Sequence, residues 1–525
     1  MHHVVWAATT HKEMIRQQEV TMNYTYQNPI LSGMYPDPSI TRCGSDYYIV
    51  TSSFQYFPGV PVFHSRNLAN WEQIGHCLTR ESQLDLTEAN PAFGIYAPTI
   101  RYHEGLFYMI TTNMTDMIHD KPGNFIVTTE NPAGEWSEPA LIHHGGIDPD
   151  LFFDGDKVYF CGTGKDDNGF GIMVFEINPL TGEILSDKVM INRGCGGKCP
   201  EGPHLYKKDG WYYLLMAEGG TEYGHMITVQ RARDIYGPYE KSPWNPLITH
   251  RSFDSDQIQC IGHGDMIEDH NGNWWVVCLG VRQCGAMLHN LGRETFLFPV
   301  VWEDGWPRAV SPRVSAVMEG PLPGAAYERA DMFETDFGEK ETALCWNYIQ
   351  NPVRERYRYT AEGICLAGAS YGLNEDKHSP TFMGVRQKEL ETITETELKT
   401  ELAQDGIAGL AVYYMATHHY EIQLHNKSGR YEVELVKHLY DMETVSEPVE
   451  VTGESVKLGV KSDGNRYAFY CETEAEGRRE LGSGLTVGMA TEAMEFMTFT
   501  GTYLGIFAQG TEAVFTHFFN RWGQI

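Results

Sequence analysis

The N-terminal part of the chain repeats one short design five times, and this repeat constrains the fold more than any other feature. Each copy begins with a small or polar residue and continues into a short apolar strand. It then turns at Gly, Asp or Asn and enters a second strand rich in aromatic or β-branched residues. The copies are DPSITRCGSDYYIV, APTIRYHEGLFYMI, DPDLFFDGDKVYFC, EGPHLYKKDGWYYLL and HGDMIEDHNGNWWVV. Because a spacing of roughly 50 to 60 residues is typical of propeller blades, the sequence predicts an all-β chain that starts with a five-bladed β-propeller.

The first residue of each copy has an equivalent place in its blade, and equivalent places in a propeller meet around the central axis. These five residues are Asp37, Ala97, Asp148, Glu201 and His263. The repeat thus predicts that three carboxylates and a histidine converge on one pocket. Burying three carboxylates together costs free energy, so the arrangement favours a functional role. The alternative interpretation is that turn residues happen to align.

Two prolines enclose the first of these carboxylates. In MYPDPSI, Pro36 and Pro38 restrict the backbone on both sides of Asp37, which argues against a helix or a central strand. Pro-Asp-Pro is also ordinary turn sequence. Combined with the repeat, the segment predicts a rigid turn that holds the Asp37 carboxylate in one position at the start of the first blade.

The sequence pattern changes after the fifth copy. Residues 313–330 are rich in Pro, Gly and Ala and are predicted to be a linker. Alternating runs such as RYEVELVKHL and VKLGVKSD then predict an antiparallel β-sandwich over residues 331–525. Residues 24–312 are the predicted propeller domain, and residues 1–23 are predicted to be a disordered leader.

The chain has 525 residues and a formal net charge of −30, which disfavours nucleic acid and anionic membrane surfaces as partners because both carry the same sign. No apolar run reaches the roughly 20 residues of a membrane-spanning helix, and the N-terminus lacks a signal-peptide core. Eleven cysteines, an odd number, are typical of reduced thiols, so a cytoplasmic location is expected. Cys195 and Cys199 flank Gly-Gly-Lys, and pairing or metal binding by these two is the alternative.

Two carboxyl groups that face each other across a pocket are the working groups of glycoside hydrolysis. One protonates the leaving oxygen, while the other activates a water or attacks the sugar. A third carboxylate nearby raises the pKa of the acid and keeps it protonated near neutral pH. The reach of Glu201 and the space beside Gly202 favour the role of the acid, and the clamped Asp37 is suited to binding a water. Spacing alone does not assign these roles.

Two further residue types complete a predicted sugar site. Aromatic side chains such as Phe54 and Tyr96 are candidates for stacking on a sugar face, although each also suits a propeller core. Arg293, in LGRETFLFPV, is a candidate ligand of sugar hydroxyls. Its alternative interpretation is a structural ion pair, with Glu294 beside it in the sequence.

Six segments in the right order resemble glycoside hydrolase family 43, and in particular its β-xylosidase and α-L-arabinofuranosidase branch. They are YPDPS, SSFQYFPGVPVFHSRNLANW, GIDPDLFFD, EGPHLYKKDGWYYLLMAEGGT, GHGDM and LGRETFLFPVVWEDGWP. The similarity extends from about Asn28 to the C-terminus, since SPTFMGVRQ and AGLAVYYMATHHYEIQL resemble the sandwich of that branch. The resemblance implies a five-bladed propeller, a C-terminal β-sandwich and hydrolysis with inversion of configuration.

The resemblance also implies roles for individual residues. Asp37 matches the general base, Asp148 the residue that tunes and orients the acid, and Glu201 the general acid. Arg293 matches an arginine that holds sugar hydroxyls, and Phe54 matches an aromatic wall of the sugar subsite.

Further positions follow from the same resemblance. Ala97 matches a small residue beside the sugar, and Phe499 matches a sandwich-loop phenylalanine that closes the pocket. His263 matches a histidine on the propeller axis that is associated with a calcium ion or a water. A structural calcium is therefore one expectation, and no cofactor is required for the reaction. Two positions depart from the family pattern, because Tyr96 replaces a more usual tryptophan and Asp150 adds a carboxylate.

The predicted activity is the release of terminal β-D-xylose, α-L-arabinofuranose or both from xylo- or arabino-oligosaccharides, including arabinoxylan fragments. The alternatives are an endo-arabinanase-like hydrolase and a non-catalytic carbohydrate-binding propeller. Retaining sucrose- and fructan-cleaving enzymes share the architecture, but MYPDPSI stands where they have a WMNDPNG-like start. A homo-oligomer is a further expectation from the resemblance.

Overall fold

The computed structural model describes residues 22–285, 287–338 and 343–523. Strands dominate these ranges, and the exceptions are one α-helix at Met114–Ile118 and 3-10 turns at Arg354–Arg356, Thr486–Met489 and Thr491–Ala493. Apart from Met22 and Asn23, the predicted leader lies outside the described residues. Within the described ranges, no helix has the length and apolar character needed to cross a bilayer. The predicted all-β class is confirmed.

Five antiparallel sheets form the blades of the propeller. Blade 1 contains Ser39–Cys43, Asp46–Val50, Gly59–Ser65 and Glu72–Leu78, and blade 2 contains Thr99–His103, Leu106–Thr112, Asn124–Thr129 and Ala140–Ile142. Blade 3 contains Asp150–Asp154, Lys157–Asp166, Gly169–Glu176 and Val189–Asn192. Blade 4 contains Glu201–Lys208, Trp211–Glu218, Met226–Ala232, Glu240–Lys241 and the added strand Ile248–Thr249. Blade 5 contains Ile258–Glu268, Trp274–Arg282, Glu294–Glu303 and Trp306–Ala309.

The first strands of neighbouring blades contact one another around the axis, which closes the ring. Blades 5 and 1 meet where Asp265 accepts hydrogen bonds from the Ser39 hydroxyl at 2.7 Å and from the Ile40 N–H at 3.0 Å. Each turn between the first two strands of a blade is two to five residues long in sequence, as the Gly-, Asp- and Asn-containing turns predict. The predicted five-bladed propeller is therefore confirmed.

The predicted linker contains regular structure of its own. Val317–Gly320 forms an antiparallel ladder with Tyr24–Gln27, so the chain returns to the N-terminal strand before it leaves the propeller. The segment had been expected to be a linker because its Pro, Gly and Ala content masked this short strand. Its pairing satisfies backbone groups of the N-terminal strand that would otherwise lack partners in a sheet.

Two sheets form the C-terminal β-sandwich. The larger contains Met332–Thr335, Tyr357–Thr360, Gly363–Ala367, Glu391–Lys399, Ser455–Asp463, Arg466–Thr473, Gly477–Leu485 and Glu512–Trp522. The smaller contains Thr381–Arg386, Ile407–Met415, His418–Lys427, Arg430–Leu439, Met442–Val445, Val449–Val451 and Tyr503–Gln509. Alternate residues point into the core between the sheets, and Leu398, Ile422, Val460 and Phe515 are fully buried there.

The sandwich is joined to the propeller by backbone pairing as well as by side chains. Tyr348–Ile349 forms a short antiparallel ladder with Tyr56–Phe57, which lies between two strands of blade 1. The fully buried Arg386 donates a hydrogen bond from Nε to the Met34 carbonyl at 2.8 Å. Because Met34 immediately precedes the YPDP turn, the sandwich domain contacts the segment that carries Asp37.

Candidate active site

The five residues that open the sequence repeats line one pocket. Asp37, Ala97, Asp148, Glu201 and His263 each come from a different blade, so every blade contributes to the wall. The remaining wall residues are Phe54, Tyr96, Ile147, Thr221, Arg293 and Phe499. Of these, Phe499 alone belongs to the sandwich. The pocket is therefore built by both domains.

The backbone at the pocket lies in a region that non-glycine residues rarely adopt. The φ angles of Asp37, Asp148 and His263 are 53°, 57° and 44°, and Gly202, directly after Glu201, has a φ of 53°. Left-handed backbone costs a non-glycine residue roughly 1 to 3 kcal/mol and persists only where the surroundings hold it. Each of these left-handed residues is a pocket residue or directly follows one. Each changes the direction of the chain just before or within the first strand of its blade.

Asp37 is held as an ionised carboxylate. Arg293 donates from Nη1 to Asp37 Oδ1 at 2.8 Å and from Nη2 to Asp37 Oδ2 at 3.1 Å, and the Ser52 hydroxyl donates to Oδ2 at 2.6 Å. Burial acts to raise the pKa of Asp37. The Arg293 charge and these hydrogen bonds outweigh burial and hold the pKa below its usual range. Asp37 is therefore available to accept a proton at neutral pH.

Arg293 pairs with the pocket carboxylate and not with its sequence neighbour. Glu294 accepts hydrogen bonds from Arg282, at 2.7 Å and 2.8 Å, so the ion pair that Arg293 forms is with Asp37 and not with Glu294. Arg293 directly precedes the strand that begins at Glu294, and the two side chains reach different partners. Arg293 Nη1 also approaches the Thr221 hydroxyl at 3.3 Å. Among the described residues, the buried Arg293 Nε has no hydrogen-bond partner and is free to donate to a ligand.

Asp148 and Glu201 form a buried pair that retains protons. Burial and the charge of Asp37 raise the pKa of Glu201 to about 7. Burial and the charges of Glu201 and Asp37 raise the pKa of Asp148 well above its usual range. Because the two groups affect one another, the proton belongs to the pair. Asp148 Oδ2 also accepts the Gly202 N–H at 3.1 Å, which fixes the backbone beside Glu201.

Three aromatic rings form one side of the pocket. Phe54 and Phe499 are stacked with ring centroids 6.0 Å apart, and Tyr96 meets them edge-on at 5.6 Å and 5.8 Å. The Arg293 guanidinium lies 5.5 Å from the Phe54 centroid and 5.3 Å from the Phe499 centroid. Such a wall offers an apolar face to the C–H groups of a sugar and leaves the polar groups on the other side.

The surroundings of His263 do not fit the expected calcium ion. Calcium takes six to eight oxygen ligands. The carboxylate of Asp37 has its Oδ1 3.8 Å from His263 Nδ1, but both of its oxygens accept hydrogen bonds from Arg293. The oxygens of Asp265, the next carboxylate to act on His263, are also bonded to protein donors. Across the described ranges, no group of three or more His, Cys, Asp or Glu side chains is arranged to hold a metal. Burial lowers the pKa of His263 to about 4, so the ring is neutral at neutral pH.

A match to a family model shows which protein family contains this chain. The model of glycosyl hydrolases family 43 matches residues 26–307, which cover the five blades and the N-terminal strand. The chain belongs to glycoside hydrolase family 43. A second model, the beta xylosidase C-terminal concanavalin A-like domain, matches residues 334–518. Family 43 enzymes are inverting glycosidases, so the predicted enzyme class is confirmed.

Several relatives align with this family 43 chain over most of their length. A non-reducing end alpha-L-arabinofuranosidase of Bacteroides ovatus is 35% identical over 93% of this chain and 92% of its own. A xylosidase/arabinosidase of Butyrivibrio fibrisolvens is 41% identical over 77% of this chain and 80% of its own. The solved structure of GH43B from the xyloglucan PUL of B. ovatus has a TM-score of 0.89 at 34% identity, covering 95% of this chain and 99% of that one.

The family 43 pocket also contains residues that the sequence had not singled out. Ser52, Ile147 and Thr221 contact the reacting region, and Ile147 is the residue directly before the Asp148 carboxyl. The added carboxylate Asp150 does not line the pocket. It lies fully buried below, where its Oδ1 is 2.9 Å from Arg101 Nη2. Blade position supplies the missed signal, since Asp150 comes two residues after Asp148 and therefore faces the axis one layer deeper.

Cys195 and Cys199 remain free thiols, as do the other nine cysteines, all of which are described. The loop between them is held by a carboxylate and not by a metal. The buried Glu218 accepts the N–H groups of Cys195 at 2.7 Å and Gly197 at 2.8 Å. The described residues therefore contain neither a disulfide nor a metal site at this pair. The cytoplasmic location and the homo-oligomer stay predictions.

Proposed function

We propose that the chain is an exo-acting, inverting glycosidase that removes a terminal pentose, β-D-xylose, α-L-arabinofuranose or both, from xylo- or arabino-oligosaccharides. One observation carries the proposal. A single pocket holds Asp37 with a pKa below its usual range and Glu201 with a pKa of about 7, and Phe499 of the second domain walls it. Acid and base catalysis at one sugar requires two carboxyl groups with different pKa values.

Each pocket group has one step in this reaction. Asp37 accepts a proton from a water as the water attacks the anomeric carbon. Glu201 gives its proton to the glycosidic oxygen, which leaves with the remaining oligosaccharide on the opposite face of the sugar. Arg293 keeps Asp37 ionised and offers Nε to a sugar hydroxyl. Asp148 holds the Gly202 N–H and keeps the backbone beside Glu201 in place.

The choice of a terminal pentose rests on the shape of the pocket and on the relatives. A pocket walled on one side by Phe54, Tyr96 and Phe499 suits one small sugar ring and its linkage oxygen. The B. ovatus relative is named a non-reducing end alpha-L-arabinofuranosidase, and the B. fibrisolvens relative is named a xylosidase/arabinosidase. Both names describe pentose-releasing enzymes of the kind proposed for this chain.

Two measurements test the proposal. Hydrolysis rates on an aryl β-D-xyloside and an aryl α-L-arabinofuranoside, taken side by side, should show turnover of at least one. The anomer that appears first by NMR should be opposite in configuration to the substrate. Retention would exclude the role of Asp37 in activating water. Faster cleavage inside a linear arabinan than at its ends would favour the endo-arabinanase-like alternative.

The raised pKa values of carboxyl groups in the pocket disfavour the non-catalytic alternative. A binding site for a neutral sugar gains nothing from buried carboxyl groups whose pKa values are raised, because they cost folding free energy. Cys195 or Cys199 in a nucleophilic role is also disfavoured, since neither lines the pocket.

A further inference from the structure

A second layer of polar residues lies beneath the pocket on the propeller axis. Ser39, Asp150 and Asp265 come two residues after Asp37, Asp148 and His263, and side chains two apart on a strand share a face. Each of the three is buried. Blade 4 adds His204 and Tyr206, displaced by a shift of register after Glu201, and blade 2 adds Arg101. We call these six residues the axial cluster.

The atoms of the axial cluster converge on the Arg101 guanidinium. Its terminal nitrogens lie 2.9 Å from Asp150 Oδ1, 2.7 Å from Asp265 Oδ2 and 2.9 Å from His204 Nδ1. Because Arg101 has no acceptor atom, it is the donor to Asp265 and His204. Its contact with Asp150 Oδ1 is an ion pair, since that oxygen has no hydrogen-bond partner among the described residues. Two carboxylates and an imidazole from three different blades thus direct their acceptors at one cation. Carboxylate and imidazole groups are also the donor set that divalent metal ions take in proteins.

Three of the four carboxylate oxygens accept hydrogen bonds from protein donors, and the fourth, Asp150 Oδ1, faces the Arg101 guanidinium. Asp265 Oδ2 also accepts from the Ser39 hydroxyl at 2.7 Å, and Asp265 Oδ1 accepts from the Tyr206 hydroxyl at 2.5 Å. Asp150 Oδ2 accepts the Leu205 N–H at 3.1 Å. Buried carboxylates are costly without a cation beside them, and Arg101 is the cation within reach of both. Arg101 therefore balances the negative charges of Asp150 and Asp265 on the propeller axis.

We propose that the Arg101 guanidinium is the permanent cation of the propeller axis, balancing the charges of Asp150 and Asp265 so that no divalent metal ion is needed there. The enzyme then needs no metal for folding or for turnover. Arg101 is a positioning residue: it ties blades 3 and 5 to blade 2 under the pocket and does not touch the sugar. This arrangement accounts for the disagreement between the expected calcium and the surroundings of His263.

The test compares wild type with Arg101→Ala and Arg101→Lys, using Tm and the rate of aryl pentoside hydrolysis. Wild type should keep both values after treatment with 5 to 10 mM EDTA (on the order of the excess that strips a calcium site) and after addition of CaCl₂. Arg101→Ala should lose roughly 5 °C or more in Tm. Added guanidinium ion or CaCl₂ at about 5 mM should return at least half of that loss, because either restores a cation to the axis.

Controls separate charge from packing. Arg42→Ala removes a partly exposed propeller arginine whose hydrogen bonds go to backbone carbonyls, and its Tm should respond to neither cation. Arg101→Lys keeps a positive charge and should lose less Tm than Arg101→Ala. A wild type that EDTA inactivates or destabilises, and that CaCl₂ restores, overturns the proposal, even if Arg101→Ala does not fold. A folded Arg101→Ala that neither cation restores also overturns it, since Arg101 would then act by packing alone.

Discussion

Arg293 binds Asp37 through two hydrogen bonds, of 2.8 Å and 3.1 Å, that engage both carboxylate oxygens. This pair is buried in the pocket wall, where a bidentate contact is strong and defines direction. It sets the charge and the orientation of the carboxylate and leaves Arg293 Nε free among the described residues. The predictions below follow from this pair and from the proton held opposite it.

Replacing Asp37 by Asn should lower kcat on an aryl pentoside by about 10³-fold or more, because an amide cannot take the proton of the attacking water. Circular dichroism should be unchanged, with a modest fall in Tm as Arg293 loses its charge partner. Asp209→Asn, which neutralises an exposed aspartate in a blade 4 turn, is the matched control and should leave kcat unchanged. Turnover near that of wild type in Asp37→Asn would contradict the role given to Asp37.

Replacing Glu201 by Gln should affect substrates according to their leaving groups. The loss of kcat should approach about 10³-fold for an oligosaccharide or a phenyl glycoside, whose leaving oxygen needs a proton. With a dinitrophenyl leaving group, the loss should shrink to about tenfold, because that oxygen leaves without protonation. Equal losses across the series would show that Glu201 does not donate the proton. Glu104→Gln, at an exposed turn of blade 2, is the control.

The pH dependence of kcat/KM should show a basic limb near pH 7. Glu201 has a pKa of about 7 and must carry its proton to protonate the leaving group, so the rate falls as pH rises through that value. The pKa of Asp37 lies below its usual range, which puts the acidic limb below about pH 4. Initial rates between pH 4 and pH 9, measured at substrate concentrations far below KM, give the basic limb and should show no full acidic limb. A flat profile up to pH 9 would rule out Glu201 as the titrating acid.

The same shift should make the wild-type protein less stable as pH rises. A carboxyl whose pKa is raised from 4.5 to about 7 on folding stabilises the fold below pH 4.5 relative to higher pH. That contribution is lost between those two values because the unfolded chain releases its proton first. Glu201→Gln removes this cost, which amounts to up to about 3 kcal/mol. Its Tm should therefore exceed that of wild type at pH 8 by more than at pH 4.5. An equal Tm difference at both pH values would contradict this.

Phe499→Ala should raise KM and lower kcat/KM by roughly 10- to 100-fold, because it removes a ring that stacks on Phe54 and meets Tyr96 edge-on. Phe496, three residues away and half exposed, provides the matched control, and Phe496→Ala should change neither value appreciably. Should both variants behave alike, the effect would come from the loop and not from the pocket wall.

The repeat carried most of the information about the fold and the pocket. Five copies with equivalent opening residues predict a closed ring, and a ring brings Asp37, Asp148 and Glu201 together whatever lies between them in sequence. Side-chain partners are a different matter. Arg293 and Glu294 are adjacent in the sequence, but Glu294 pairs with Arg282 while Arg293 reaches Asp37 at the start of blade 1.

The layer beneath the pocket lies two residues further along the repeat than the residues that line the pocket. Ser39, Asp150 and Asp265 show the same regular spacing as the opening residues, so the sequence contains the signal. Arg101 and His204 break this spacing, through a longer side chain and a shifted register. Their convergence depends on three-dimensional distances that no spacing encodes. Thr221, on a connection within blade 4, was unpredictable for the same reason.

The two family models match the chain as two separate modules, residues 26–307 and 334–518, yet the pocket wall crosses that boundary. Phe499 supplies a ring to the wall, and Tyr348–Ile349 pairs with Tyr56–Phe57 of the propeller. A gene fusion that contains only the propeller would therefore keep the carboxyl groups and lose part of the pocket wall. In this chain, the unit that recombination can move intact is the pair of domains.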